Sequence, residues 1–97
     1  MTADYDTEAD AIAINLGWPR EGDDPVHGHP VHERCNVATA GDVPVDVEIL
    51  YPSLGVDEPL RAAAAQFDLD FEALKAAARS ALAAPDRLVT LDVAARG

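Results

Sequence analysis

The chain has little of what a disulfide-stabilised or membrane-bound protein needs. Cys35 is the only cysteine among 97 residues, so an internal disulfide is impossible and nothing indicates an oxidising compartment. The N-terminus has no basic region, and no apolar stretch is long enough for a signal peptide or a membrane helix. We therefore expect a cytosolic protein that does not bind membranes.

Basic residues are the scarcest charged class. Eighteen acids stand against seven bases, which gives a net charge of −11. Residues 1–56 hold eleven of the acids and two of the bases, whereas residues 57–97 hold seven acids and five bases. This charge repels phosphate backbones and attracts basic protein surfaces. We expect a basic protein partner, and DNA contact only weakly or through a complex.

Large apolar side chains are also few. The 48% hydrophobic content includes 19 alanines, which bury little area, and the aromatic residues are two Tyr, two Phe and one Trp. A modest core in one small domain, residues 1–97, is the expected result. Within it we expect residues 1–34 to form an acidic segment and a histidine-rich loop, and residues 35–97 to form the folded core.

The clearest strand lies in the middle of the chain, where apolar and polar residues alternate. Residues of the buried face should be Val43, Val45, Val47, Ile49 and Tyr51. Residues of the solvated face should be Pro44, Asp46, Glu48 and Leu50. A second alternation begins at Cys35, and residues 40–42 can form a turn, so residues 35–51 are predicted to form a β-hairpin. Pro44 should lie at an edge or before regular pairing begins.

Two helices and a strand are predicted after the hairpin. Asp57 and Asp70 are suitable N-caps, and apolar residues follow each at helical spacing, up to Phe67 in the first helix and Leu82 in the second. Alternation over Leu88–Val93 predicts a last strand. The chain should therefore be an α+β domain with a β-hairpin, a helix-turn-helix pair and a C-terminal strand.

The N-terminal segment permits two interpretations. Tyr5, Ala9, Ile12 and Leu16 are spaced as on a helix, which predicts a helix at about 7–16. Ile12, Ile14 and Leu16 also alternate, so a strand through residues 11–16 is the alternative. Residues 19–34 contain prolines, glycines and all three histidines without a sustained period, which predicts a loop.

The helix pair has the proportions of a helix-turn-helix. Ala64 is small, residues 68–70 form a tight turn, and Leu74 can pack the second helix on the first. With the segment Val43–Val47 before it, the stretch Leu60–Leu74 resembles small bacterial antitoxin-like proteins, in which a Pro-Val strand precedes a homeodomain-like helix pair. The resemblance covers less than half of the chain and implies an antitoxin-like or inhibitor-like regulator. An ordinary helical hairpin without a nucleic-acid role is the alternative.

Two groups of charged residues are candidates for partner binding. Lys75 and Arg79 lie on the second helix, where Asp70 and Glu72 oppose a phosphate backbone, so operator binding would need a basic partner or a homodimer that pairs the two bases. The acids expected to steer a basic protein are Asp4, Asp6, Glu8 and Asp10.

The histidine-rich segment supports an alternative function. His27, His29, His32 and Cys35 place four metal donors within nine residues, which would suit Zn or another transition metal in an accessory protein. Their spacing matches no common zinc pattern.

No converging set of acid, base and nucleophile is visible, so we do not expect an enzyme. Cys35 and His32 could form a nucleophile pair, but no third group orients them, and a half-buried strand cysteine is the alternative. An accessory subunit of an enzyme complex is a further alternative.

Overall fold

A computed structural model describes residues 1–17 and 25–91. In these residues a six-stranded antiparallel sheet, ordered β3-β4-β5-β2-β1-β6, packs against two helices. The elements are β1 (Thr2–Asp6), β2 (Ala11–Asn15), β3 (Val26–His32), β4 (Cys35–Ala40), β5 (Val43–Leu50), a 3-10 turn (Pro52–Leu54), α1 (Asp57–Phe67), α2 (Phe71–Ala83) and β6 (Leu88–Thr90).

The core lies between one face of the sheet and the two helices. In the centre of the sheet, Ile12 is opposite Ile49 and Ile14 is opposite Val47, and all four side chains are fully buried. Leu60 of α1 and Leu74 of α2 cover them, and both are also buried. Alanines on the inner sides of the helices allow this close approach: Ala63, Ala77, Ala78 and Ala81.

The helix boundaries follow from local chemistry. Asp70 caps α2, because its carboxylate accepts a hydrogen bond from the Ala73 N–H at 3.2 Å. Asp68 ends α1 in the left-handed conformation, with φ 54°. Asp57 was expected to be the cap of α1 but is its first helical residue, after Val56. There its carboxylate still interacts favourably with the positive end of the helix.

The α+β class, the hairpin and both helices are confirmed, but the predicted order of elements is wrong. Three strands precede the hairpin. The helix at about 7–16 is replaced by a turn and β2, so the strand alternative is the correct one there. Ile12 and Ile14 fit either period, and pairing with β1 and β5 decides between them.

The histidine-rich segment is a strand rather than a loop from Val26 onwards; residues 19–24 of the predicted loop lie outside the described residues. β3 is an edge strand that pairs with β4, and its register shifts between Pro30 and His32. An edge tolerates Pro30, since one side of the strand needs no partner. Pro44 likewise lies beside a register shift, between Ala38 and Thr39.

The ends of the chain also differ from expectation. Ala3, Ile12 and Ile14 belong to the hydrophobic core, so the core is not confined to residues 35–97. The predicted last strand, Leu88–Val93, is confirmed as β6 over its first three residues, where it pairs with β1. The last two residues of that prediction lie outside the described residues.

Candidate functional site: the open face of the sheet

One face of the sheet is not covered by any element within residues 1–17 and 25–91; we call it the open face. Pairing across β1, β2, β5, β4 and β3 places its central residues in two rows. One row is Asp4, Ala13, Glu48, Asn36 and Pro30. The next row is Thr2, Asn15, Asp46, Ala38 and Gly28. The open face is therefore made of small residues, amides and carboxylates.

A shallow depression lies at the centre of the open face. It has a volume of about 150 Å³ and is lined by Ala13, Asn36, Ala38, Asp46 and Glu48. The floor is low because alanines project little from the sheet. The carboxylates of Asp46 and Glu48 stand at its side, two residues apart on β5 and thus on the same face.

Gly28 leaves room for the amide of Asn36. A Cβ atom added at Gly28 would lie 2.8 Å from Asn36 Nδ2, which is too close for non-bonded atoms. The lack of a side chain on the edge strand thus lets the amide lie over the backbone of β3. Asn36 offers a donor and an acceptor beside the acids of β5.

Asp46 is the most perturbed acid of the open face. The pKa of its carboxyl is raised to about 6, mainly by burial and also by the charges of Glu48 and Asp4, while a hydrogen bond from the Val47 N–H acts in the opposite direction. Its Oδ1 is buried and has no hydrogen-bond partner in the described part of the chain. A buried acceptor without a partner costs free energy, so this position does not favour folding.

Three of the five basic residues in the described part of the chain lie on the helices. Lys75 Nζ is 3.2 Å from Asp57 Oδ2, which joins the two helices, and the Arg61 guanidinium lies 4.3 Å from the centre of the Phe71 ring. Arg79 is exposed on α2. Arg87 borders the open face, since with Asp4, Asp6 and Leu88 it lines a groove of about 510 Å³ at the β1–β6 edge. The sheet and helix layers thus differ in charge.

The four N-terminal acids have different environments. Asp4 lies on the open face, and Glu8 is exposed in the β1–β2 turn. Asp6 Oδ1 accepts hydrogen bonds from the N–H groups of Glu8 and Ala9, at 2.9 and 3.2 Å. Asp10 Oδ1 accepts one from the Tyr5 hydroxyl at 2.9 Å. Asp6 and Asp10 therefore stabilise the turn, and Asp4 is the member of the set that joins the acids of β5.

The predicted metal donors do not converge. His27 is exposed, His29 Nε2 lies 3.0 Å from Thr39 Oγ1, and the buried Cys35 belongs to the core. His32 Nδ1 accepts a hydrogen bond from the Arg34 N–H at 3.1 Å, and its Nε2 lies 3.5 Å from Glu58 Oε1. Among the described residues, no group of three or more His, Cys, Asp or Glu side chains could hold a metal ion.

Cys35 and His32 do not form a nucleophile pair. Burial raises the pKa of the Cys35 thiol to about 11, although the charge of Arg34 lowers it. The thiol is therefore protonated at neutral pH, and a thiol is a poor nucleophile. Both ring nitrogens of His32 face other groups.

Comparisons with protein-family models, with curated proteins and with solved structures find no match for the chain. Neither helix of the described residues is long and apolar enough to cross a membrane.

The main candidate residues missed by sequence reasoning are Asn36, Asp46 and Glu48. The alternation of β5 already places Asp46 and Glu48 on the solvated face, so a signal for these two was present. No local signal connects them to Asp4, because their common position in one region of the open face depends on β1 lying two strands away from β5 in the sheet.

Proposed function

We propose that the protein is a small acidic protein-binding regulator whose open face binds a basic protein. The observation that carries this proposal is Asp46, a half-buried carboxylate beside Glu48 and Asp4 on the open face, whose Oδ1 has no hydrogen-bond partner among the described residues. An arginine or lysine of a partner that pairs with the exposed Glu48 carboxylate would also offset the negative charge of the neighbouring Asp46. Binding would thus remove a cost that the free protein carries.

The charge distribution supports a basic partner. The two open-face rows contain three acids and no base, whereas the helix segment 57–83 contains five acids and three bases, Arg61, Lys75 and Arg79. A basic surface would be attracted to the open face and oriented by this asymmetry, which raises association rates. Direct duplex binding through α2 is disfavoured, because Lys75 is paired with Asp57.

Within this class we favour an antitoxin-like or inhibitor-like role, in which an acidic chain neutralises a basic effector. The strand and helix-pair resemblance is the basis for that narrower class. Its simplest check is the neighbouring gene, which should encode a basic toxin-like or nuclease-like protein.

Capture of partners by charge variants tests the proposal. The face variant, Asp4→Asn/Asp46→Asn/Glu48→Gln, removes three charges from the open face. The control variant removes three exposed acids elsewhere, Asp42→Asn/Asp68→Asn/Glu72→Gln, so the net charge is the same. Immobilised wild type and control should retain the same basic protein from a lysate of the native host, identified by mass spectrometry, and the face variant should lose it. Equal retention by all three baits would contradict the proposal.

A further inference from the structure

Three large apolar residues within five positions of one another are exposed at the end of β5 and in the turn that follows it. Leu50 is the last residue of β5, Tyr51 follows it, and Leu54 ends the 3-10 turn. Their exposed fractions are 38%, 52% and 71%, respectively. We call these three residues the apolar patch. Single exposed apolar residues are common on proteins, but several within five residues indicate an interaction surface.

The backbone that displays the apolar patch is held in place. Arg34 Nη1 donates hydrogen bonds to the carbonyl oxygens of Leu50, Tyr51 and Gly55, at 3.3, 3.0 and 2.9 Å. The Tyr51 N–H donates to the Asp10 carbonyl at 2.8 Å. A rigid display lowers the entropy lost on binding, so these bonds favour recognition as well as folding.

The same turn contains unusual backbone conformations. Tyr51 has φ 50° and Gly55 has φ 113°. The left-handed region is unfavourable for an aromatic residue, whereas glycine adopts positive φ readily. Strain of this kind is frequent at binding sites. In Tyr51 it accompanies an aromatic ring that is half-exposed to solvent.

Several acidic residues lie near the Leu50 and Tyr51 end of the apolar patch. Glu33, Glu48 and Leu50 line one cleft of about 170 Å³, together with Pro30, His32 and Asn36. Asp10 adjoins Tyr51 through the backbone bond, and Glu58, which contacts His32, is almost fully exposed. The nearby base, Arg34, is occupied by backbone carbonyls. An apolar centre with a charged rim is the usual organisation of a protein–protein interface.

We propose that the apolar patch is the anchor of the interface, and that the partner presents apolar side chains flanked by lysine or arginine. This inference rests on the proposed function and specifies the partner surface. The acidic rim selects such a partner by charge complementarity. A second copy of this chain would bring two acidic rims together, which like-charge repulsion opposes.

Two peptides and two variants test the inference. The probes are a lysine-rich octapeptide with two central phenylalanines and its counterpart with two central serines, titrated at low salt into ¹⁵N-labelled protein and followed by amide chemical shifts. The wild type should bind the phenylalanine peptide about tenfold more tightly, with the largest shifts at Tyr51 and Leu54. In Leu54→Ser the preference should fall below about threefold. Val43→Ser should keep it, because Val43 is an exposed apolar residue at the opposite end of β5.

The outcomes separate the two proposals. If the wild type bound both peptides equally, with shifts on the open face, the apolar patch would not be the anchor. The proposal that the open face binds a basic protein would then still stand. Absence of shifts with either peptide would overturn both. A dimer of the free wild type that Leu54→Ser dissociates, measured by analytical ultracentrifugation, would reassign the patch to self-association and overturn the inference.

Discussion

The two faces of the sheet are built by the same strands and have different properties. On the helix-covered face, Ile14, Val37 and Val47 lie side by side with no exposed surface. On the open face, one residue along each strand, the neighbours are Ala13, Asn36 and Glu48. The covered face is complete without a partner, whereas on the open face Asp46 Oδ1 has no hydrogen-bond partner within residues 1–17 and 25–91. The difference indicates that the covered face determines folding and that the open face is available for recognition.

The largest expected effect separates neighbouring positions of β5. Val47→Asp would place an unpaired charge in the core at a cost of several kcal/mol, comparable with the stability of a small domain, so the protein should unfold or aggregate. Glu48→Lys should change the free energy of unfolding by less than about 0.5 kcal/mol, because the side chain is exposed. Thermal unfolding followed by circular dichroism would contradict the assignment of faces if both variants had the same melting temperature.

The next effect concerns the histidines. If they lay in a solvated loop, as the sequence predicted, replacing all three by alanine would leave the free energy of unfolding unchanged. His29 instead contacts the buried Thr39 hydroxyl and packs with its ring centre 5.5 Å from that of Phe67. We expect His29→Ala to cost about 1–2 kcal/mol, since Thr39 loses its partner. His27→Ala is the control and should change stability by less than about 0.5 kcal/mol. Urea denaturation of both variants measures this difference. Equal midpoints would contradict the contacts of His29 with Thr39 and Phe67, and with them the position of β3.

Asp46 should give a smaller effect, with a defined pH dependence. Its pKa is about 6 in the folded protein, above the ordinary value of 3.8, so stability falls as pH rises from about 4 to above 6. Asp46→Asn should therefore stabilise the protein at pH 7.5. Because the group is partly exposed and screened by solvent, we expect a gain of about 1 kcal/mol. At pH 4 the gain should vanish, and a gain that is independent of pH would contradict the burial of the Asp46 charge as its cause.

Asp86 should show the smallest effect and the opposite sign. Hydrogen bonds from the Thr7 N–H and hydroxyl, at 2.9 Å and 2.8 Å, lower its pKa below 3.8. A carboxyl whose pKa is lowered by folding stabilises the protein at neutral pH, and this contribution is lost as pH falls through the pKa of that carboxyl in the folded protein. Asp86→Asn should thus be less stable than the wild type at pH 7 and closer to it at pH 3. Guanidinium denaturation at the two pH values measures this, and a larger deficit at pH 3 would contradict it.

Sequence reasoning succeeds where a short segment shows one clear spacing of apolar residues or one clear capping residue. The Asp70 cap is confirmed. The alternation of β5 is confirmed for Val45, Val47 and Ile49. Val43 and Tyr51 were predicted to be buried on the same face, and they are exposed because Val43 is the first residue of the strand and Tyr51 follows its last one.

Sequence reasoning is less successful for β1 to β3. Ile12 and Ile14 fit both the helical spacing and the strand alternation of apolar residues, whereas the His-Gly-His-Pro segment fits neither. Those strands are determined by pairing with distant neighbours, such as Ile12 with Ile49.

The open face was only partly predictable for the same reason. Asp46 and Glu48 could be placed on one face from β5 alone. The burial of Asp46 Oδ1 depends on how the strands lie side by side, and the order of strands in a sheet has no local sequence signal. The antitoxin-like resemblance concerned the helix pair and the single strand segment Val43–Val47, and it did not indicate the six-stranded sheet.

The most direct test of the central claim compares the affinity of the wild type, the face variant and the control variant for the lysine-rich serine octapeptide, measured by amide chemical shifts. Three carboxylates on the open face should account for most of the attraction, so we expect the face variant to bind about tenfold more weakly than the control variant. The shifts in the wild type should be largest on β5, β2 and β4. Equal affinity of the face and control variants would contradict the claim, because the attraction would then come from net charge and not from the open face.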